Sequence, residues 1–202
     1  TLAVGVSADI ILGVHPYRNA EEIQRHFSPL AEYLSNQLGE KVVVRVGGSY
    51  KEHIEAMQNG VVDIGFLGPV LYIELSKRSR NFPLLARFEV NGEPTFHGNI
   101  VVRDESPLQR LADLKGRSFA FGDSNSTMAH MVPNYMLNAA GVSKHDLKFF
   151  IHLRSHDDVA LSVLMGHTDA GAVKHEVFEQ YADSGLRPLD RTPDISEHLF
   201  VA

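Results

Sequence analysis

Along the chain, hydrophobic positions switch between short apolar runs and helical spacing. Residues 2–7 read as a short buried strand. After Asn19, a helix-capping residue, Ile23, Phe27, Leu30, Ala31, Leu34 and Leu38 recur three and four apart, and Gly39 ends the pattern. Ser28-Pro29 falls inside this helix and is expected to kink or restart it. Val42–Val46 reads as a second strand. Ser49 and Glu52 have the spacing of a capping box, opening a helix with Tyr50, Ile54 and Met57 on one face. Residues 61–66 form a third apolar run, followed by Gly68-Pro69 and a short helix through Leu75. A strand over 84–90 leads to Asn91-Gly92, a turn signal.

From Gly98 the alternation starts again, with strands expected at 99–103, 117–122, 147–152 and 169–172. Helices are expected at 107–113, 126–140, 156–166 and 174–182, and a last apolar run at 199–202 resembles one more strand. This alternation predicts an α/β fold with mostly parallel sheets and flanking helices. Seams near 90–98 and 192–198 predict two crossovers between two lobes. The first lobe is expected over 1–95 with 197–202 returning to it, the second over 96–196. A cleft between lobes is a favoured ligand site.

Composition narrows the function classes. The chain has 202 residues, 44% of them hydrophobic and 22% charged, which suits a packed globular core. Its formal net charge is −6 without a run of Lys or Arg, which argues against nucleic acid and anionic membrane surfaces. There are no cysteines, so disulfide and thiolate chemistry are excluded. No apolar run approaches the roughly 20 residues of a membrane span. No signal peptide is present in these residues.

The segment with the clearest chemistry is Ser118 to Met128, where a strand runs through the polar turn Asp123 to Ser126 into a helix. The first turn of a helix has unpaired N–H groups and a partial positive charge, so it binds anions without Lys or Arg. Ser126 and Thr127 add hydroxyl donors there. The commoner role of Ser124, Asn125 or Ser126 would be to cap the helix.

Asp113-Leu114-Lys115-Gly116 followed by Phe119 to Thr127 resembles the phosphate/phosphite/phosphonate family of ABC-transporter substrate-binding proteins. Members carry Asp-Leu-Lys-Gly, a strand, then Asp-Pro-x-Ser-Thr-Ser-Gly. Phe27 to Leu34, Ser49-Tyr50, Val62 to Pro69, Ser155 to Asp157 and Gly166 to Gly171 fall in family order. The resemblance implies the two-lobed type II periplasmic-binding-protein fold and a small oxyanion held in the cleft. Carried over, the anion site falls on Ser126, Thr127 and the N–H of Met128, with Tyr50 from the first lobe and His156 from the second. The family's tyrosine before the second-lobe strand aligns with His97. An acidic residue on the return crossover aligns with His198, which would leave the site more cationic and disfavour an aminoalkylphosphonate. Met128 and Ala129 replace the family's second Ser and Gly, removing one hydroxyl donor.

Members of that family continue past the return crossover, so the resemblance implies that the C-terminal part of the first lobe lies outside these residues. It implies a periplasmic or extracytoplasmic carrier delivering its cargo to an ABC permease. The alternative is the sensor domain of a signalling protein such as a histidine kinase, using the same cleft. Neither cofactor nor enzymatic activity is expected: nucleophile-elbow, nucleotide-binding and His-Glu-x-x-His motifs are missing. A metal site among the 11 histidines is disfavoured. Lys174 reads as a solvated lysine at a helix start. Tyr17 and Tyr72 line the cleft or cover apolar surface.

Overall fold

A computed structural model describes residues 8–77 and 81–202. The expected strand at 2–7 lies outside the described residues. The first strand described is β1 (Ile10–Val14), whose Leu12 and Val14 are fully buried. The helix α1 (Ala20–Leu38) follows, capped by Asn19, whose side chain accepts from the Glu22 N–H at 2.9 Å. Left-handed Gly39 closes it. The helix neither breaks nor restarts at Pro29 but runs through it. Then come β2 (Val42–Val46), α2 (Tyr50–Gln58), β3 (Ile64–Leu67), α3 (Pro69–Ser76) and β4 (Leu84–Arg87). Ser49 caps α2 as expected, but Glu52 closes no box; its carboxylate takes the Gly48 N–H and pairs with Arg45.

The chain then crosses through β5 (Thr95–Phe96) into β6 (Gly98–Arg103) and β7 (Ser118–Phe121). The helix expected at 107–113 is a single 3-10 turn, Leu111–Leu114. The helix expected at 126–140 begins as a π turn, Thr127–Met131, and becomes α4 (Val132–Ala139). Pro133 explains the change, because it has no N–H for a carbonyl of the preceding turn. The Ala129 carbonyl accepts instead from Gly122 at 2.9 Å, tying the turn back to the end of β7. There follow β8 (Phe149–His152), α5 (His156–Leu164), β9 (Ala170–Lys174), α6 (His175–Ala182), β10 (Leu186–Arg191), β11 (Ile195–Ser196) and β12 (Leu199–Val201).

These strands make two five-stranded sheets, ordered β2-β1-β3-β12-β4 and β10-β6-β9-β7-β8, joined by a β5–β11 ribbon. Each sheet is mixed. Pairing is parallel among β1, β2 and β3 and among β7, β8 and β9, but antiparallel at β12, β4, β6 and β10, next to the crossovers. The apolar faces pack into one core around the first sheet and two around the second. With β12 inserted between β3 and β4, the last strand belongs to the sheet built from the first.

Candidate functional site

The carboxyl ends of strands from both sheets meet at one tight cavity of about 10 Å³. From the first sheet, the turn after β1 supplies His15 and Tyr17, the start of α2 supplies Tyr50, and the start of α3 supplies Gly68 and Leu71. From the second, the turn after β7 supplies Asn125, Ser126, Thr127 and Met128. His156 stands at the first position of α5 and Lys174 at the end of β9; the crossovers add Phe96 and His198. The amino ends of α2, α3, α5 and the π turn therefore converge, bringing partial positive charge to one place.

Ser126 is a cap and a cavity residue at once: its hydroxyl accepts from the Ala129 N–H at 3.1 Å while the side chain lines the cavity. The N–H groups of Thr127 and Met128 fall in the first turn, where no earlier helical carbonyl is available. The Thr127 hydroxyl accepts from the Val70 N–H of α3 at 3.2 Å, a bond between the two sides of the cavity. Two more links cross nearby. The His156 N–H donates to the Tyr17 carbonyl at 3.0 Å, and Arg18 pairs with Asp157 at 3.1 Å, both side chains nearly buried. Tyr50 is buried against His15, and burial raises its phenol pKa above the ordinary value although a hydrogen bond with Ser126 works the other way.

The imidazoles are oriented by their neighbours. His156 Nδ1 accepts from the Lys174 backbone N–H at 2.9 Å, so the neutral ring carries its proton on Nε2. Burial, then the nearby charge of Lys174, pushes its pKa down to about 3. His15 Nδ1 meets the Phe66 carbonyl at 3.0 Å, and His198 Nδ1 meets the Glu197 carboxylate at 2.5 Å. His198 stacks on Phe66 with centroids 4.8 Å apart and on His15 at 5.4 Å. Burial also lowers the pKa of both of these rings.

Six of the seven residues expected at the site line the cavity: Tyr50, Ser126, Thr127, Met128, His156 and His198. His97 does not. Side chains alternate along a strand, so Phe96 turns inward and His97 outward, where its ring stacks on His175 at 4.1 Å and faces Asp194. Lys174 is corrected the other way: it is buried, 3.5 Å from Glu197 and 3.3 Å from Glu176, with its ammonium over Phe96. The expected cationic character is likewise offset by Glu197. Burial opposes that carboxylate's charge, but the hydrogen bonds from the His198 ring and backbone N–H and the charge of Lys174 prevail and hold its pKa at about 2. His15 went unpredicted because Leu12 to Val14 was not recognised as a strand ending at a cleft. Tyr17 lines the cavity, whereas Tyr72 packs partly buried on the first core. Among the described residues, no group of three or more His, Asp or Glu side chains is placed to hold a metal ion.

Residues 12–202 match the family described as ABC transporter, phosphonate, periplasmic substrate-binding protein. The chain belongs to this family. Among its relatives is the phosphate-import protein PhnD of Mycolicibacterium smegmatis, 28% identical over 85% of this chain. The probable ABC transporter phosphite binding protein PhnD1 of Prochlorococcus marinus is 26% identical over 95%. The chain spans 56% of the first relative's length and 68% of the second's. The solved structure of Prochlorococcus PhnD1 with methylphosphonate superposes with a TM-score of 0.87, covering 96% of this chain and 76% of that one at 25% identity. The fold is that of type II periplasmic binding proteins. Among the described residues no helix is long and apolar enough to cross a membrane.

Proposed function

We propose that this chain captures a small phosphorus oxyanion, of the phosphate, phosphite or phosphonate type, in the cavity between its two sheets. The observation that carries this reading is the convergence of helix amino ends with the Ser126 and Thr127 hydroxyls and the His156 Nε2–H on one small buried cavity. Residues 1–95 with 197–202, and 96–196, are the two lobes of the clamp. The ligand docks on Ser126, Thr127 and the Met128 N–H, and closure brings Tyr50 and His198 against it. Closure is a population shift, driven by contacts the ligand makes only in the closed form.

The role is carriage in the extracytoplasmic space, with delivery to an ABC permease, and not catalysis. The Ser126 and Thr127 hydroxyls are engaged by the Ala129 and Val70 N–H groups, an arrangement for holding an anion more than for activating a nucleophile. The relatives' names, which specify phosphate and phosphite, support the ligand class. Thermal-shift titration with phosphate, phosphite and methylphosphonate tests it. A ligand at a hundredfold excess over its Kd should stabilise the fold by about 2.7 kcal/mol. Unmoved melting with all three, alongside a rise with a carboxylate or an amine, refutes the reading.

A further inference from the structure

Hydrogen-bond partners fix which ring nitrogen each cavity histidine presents. The Phe66 carbonyl and the Glu197 carboxylate can only accept, so the Nδ1 atoms of His15 and His198 carry their protons. In the neutral rings, Nε2 is then a lone pair. His198 Nε2 lies 3.5 Å from the position a Cβ on Gly68 would take, and Thr127 Oγ1 lies 3.7 Å from it, so this acceptor sits at the seat of the proposed anion. His156 is the reverse, with Nδ1 accepting from Lys174 and Nε2–H left as the donor. One face of the cavity therefore donates, through Ser126, Thr127 and His156. The other face carries the His198 Nε2 acceptor, with His15 stacked on that ring and also lining the cavity.

We propose that His15 and His198 determine specificity by accepting a hydrogen bond from the oxyanion, so the site selects anions that carry an acidic O–H. Resting on the function proposed above, this adds a discrimination. Near neutrality phosphate always holds a proton on oxygen, and phosphite and methylphosphonate do so in part of their population, whereas sulfate holds none. Sulfate would set bare oxygens against two lone pairs. It would bind only if an imidazole took up a proton. That uptake is opposed by burial of both rings, by Lys174 beside His198, and by His53 and the partner ring beside His15; Glu197 favours it at His198 and the Phe66 carbonyl at His15. His156 next to them is also held neutral.

Titration calorimetry at pH 7 with phosphate, methylphosphonate and sulfate, repeated in two buffers of different ionisation enthalpy, tests this. A site built to pair with a ligand hydroxyl rejects the analogue lacking it, so sulfate should bind at least roughly 100-fold more weakly than phosphate. Any sulfate binding should be accompanied by proton uptake. In the double variant His15→Gln, His198→Gln, whose carboxamides can turn their NH₂ groups to the anion, the gap should shrink at least tenfold. A smaller wild-type gap, or a gap unchanged in the variant, overturns the proposal while leaving oxyanion capture intact. Failure of every oxyanion to bind overturns capture itself and the discrimination with it. Should the variant not fold, ¹⁵N shifts of the wild-type imidazoles decide. Nδ1–H tautomers at His15 and His198 with Nε2–H at His156 uphold the proposal, and any other assignment overturns it.

Discussion

Removing Arg18 separates ligand contact from lobe closure, because Arg18 does not line the cavity yet bridges its two sides. Its guanidinium meets Asp157 through two nitrogens at 3.1 and 3.4 Å, pairs with Glu22 at 2.6 Å, and donates to Gln180. Asp157 also accepts from the Tyr181 hydroxyl at 3.2 Å. Glu22 lies on the same side as Arg18, so only the Asp157 and Gln180 bonds are lost on opening. A hydrogen bond to a charged group contributes about 1.5–3 kcal/mol net. Asp157 keeps Tyr181 and the amino end of α5, so one such bond is the fair measure. At about 1.4 kcal/mol per tenfold in affinity, Arg18→Met should weaken phosphate or methylphosphonate binding roughly 10- to 150-fold. Calorimetry gives the Kd. Small-angle scattering should show a larger ligand-free radius of gyration in the variant, with the saturated form matching wild type. An affinity within about threefold of wild type would refute the link to closure, and a drop in melting temperature alone would leave Arg18 as a fold-stabilising residue.

Three further outcomes are expected. Ser126→Ala combined with Thr127→Ala should weaken oxyanion binding at least tenfold, measured by calorimetry, while loss of the Ser126 cap lowers stability by only about 1 kcal/mol. Acid should destabilise the protein from about pH 6.5 downward, because the His156 and His53 pKa values are depressed to about 3 and about 4. The unfolded chain then binds more protons than the folded one, each such ring removing up to about 1.4 kcal/mol per pH unit, and Glu197 adds to this between about pH 4.5 and 2. Urea midpoints equal at pH 7 and pH 5 would contradict this. Both ring nitrogens of His53 are buried without a hydrogen-bond partner, so His53→Leu should be neutral or stabilising by about 1 kcal/mol, with a flatter acid slope. A clear loss of stability on urea unfolding would show that the ring's packing against Gly13 outweighs its unmet polarity.

Much of the α/β order was legible because period and caps agree: Asn19 and Gly39 bound α1, and Ser155 caps α5 through Asp158. What escaped had local causes. β1 was missed because Gly13 interrupts its apolar run; a Cβ there would sit 2.6 Å from Val62, so the sheet needs the glycine that hides the strand. β10 contains Pro188, which reads as a break, and it survives as an edge strand with a register shift at that point. At the site, Ser126 and Thr127 were readable because helix ends announce themselves locally. His15, Lys174 and Glu197 were not, since a lone polar residue at a strand end has meaning only once the opposite sheet is in place. His97 failed for the smallest reason, a one-residue difference in which way a strand side chain points.

The placement of β12 between β3 and β4 has a consequence in time. Leu199 pairs with Leu67 on one side and Arg87 on the other. More than a hundred residues must therefore be synthesised after β4 before the first sheet can close, which at ribosomal speed takes roughly 6–20 s. During that interval β4 lacks β12, its neighbour in the sheet. The second sheet needs no residue outside 98–191 and can form meanwhile. The sheet that carries Ser126 and Thr127 is thus ready first, and the other waits for the strand that returns to it.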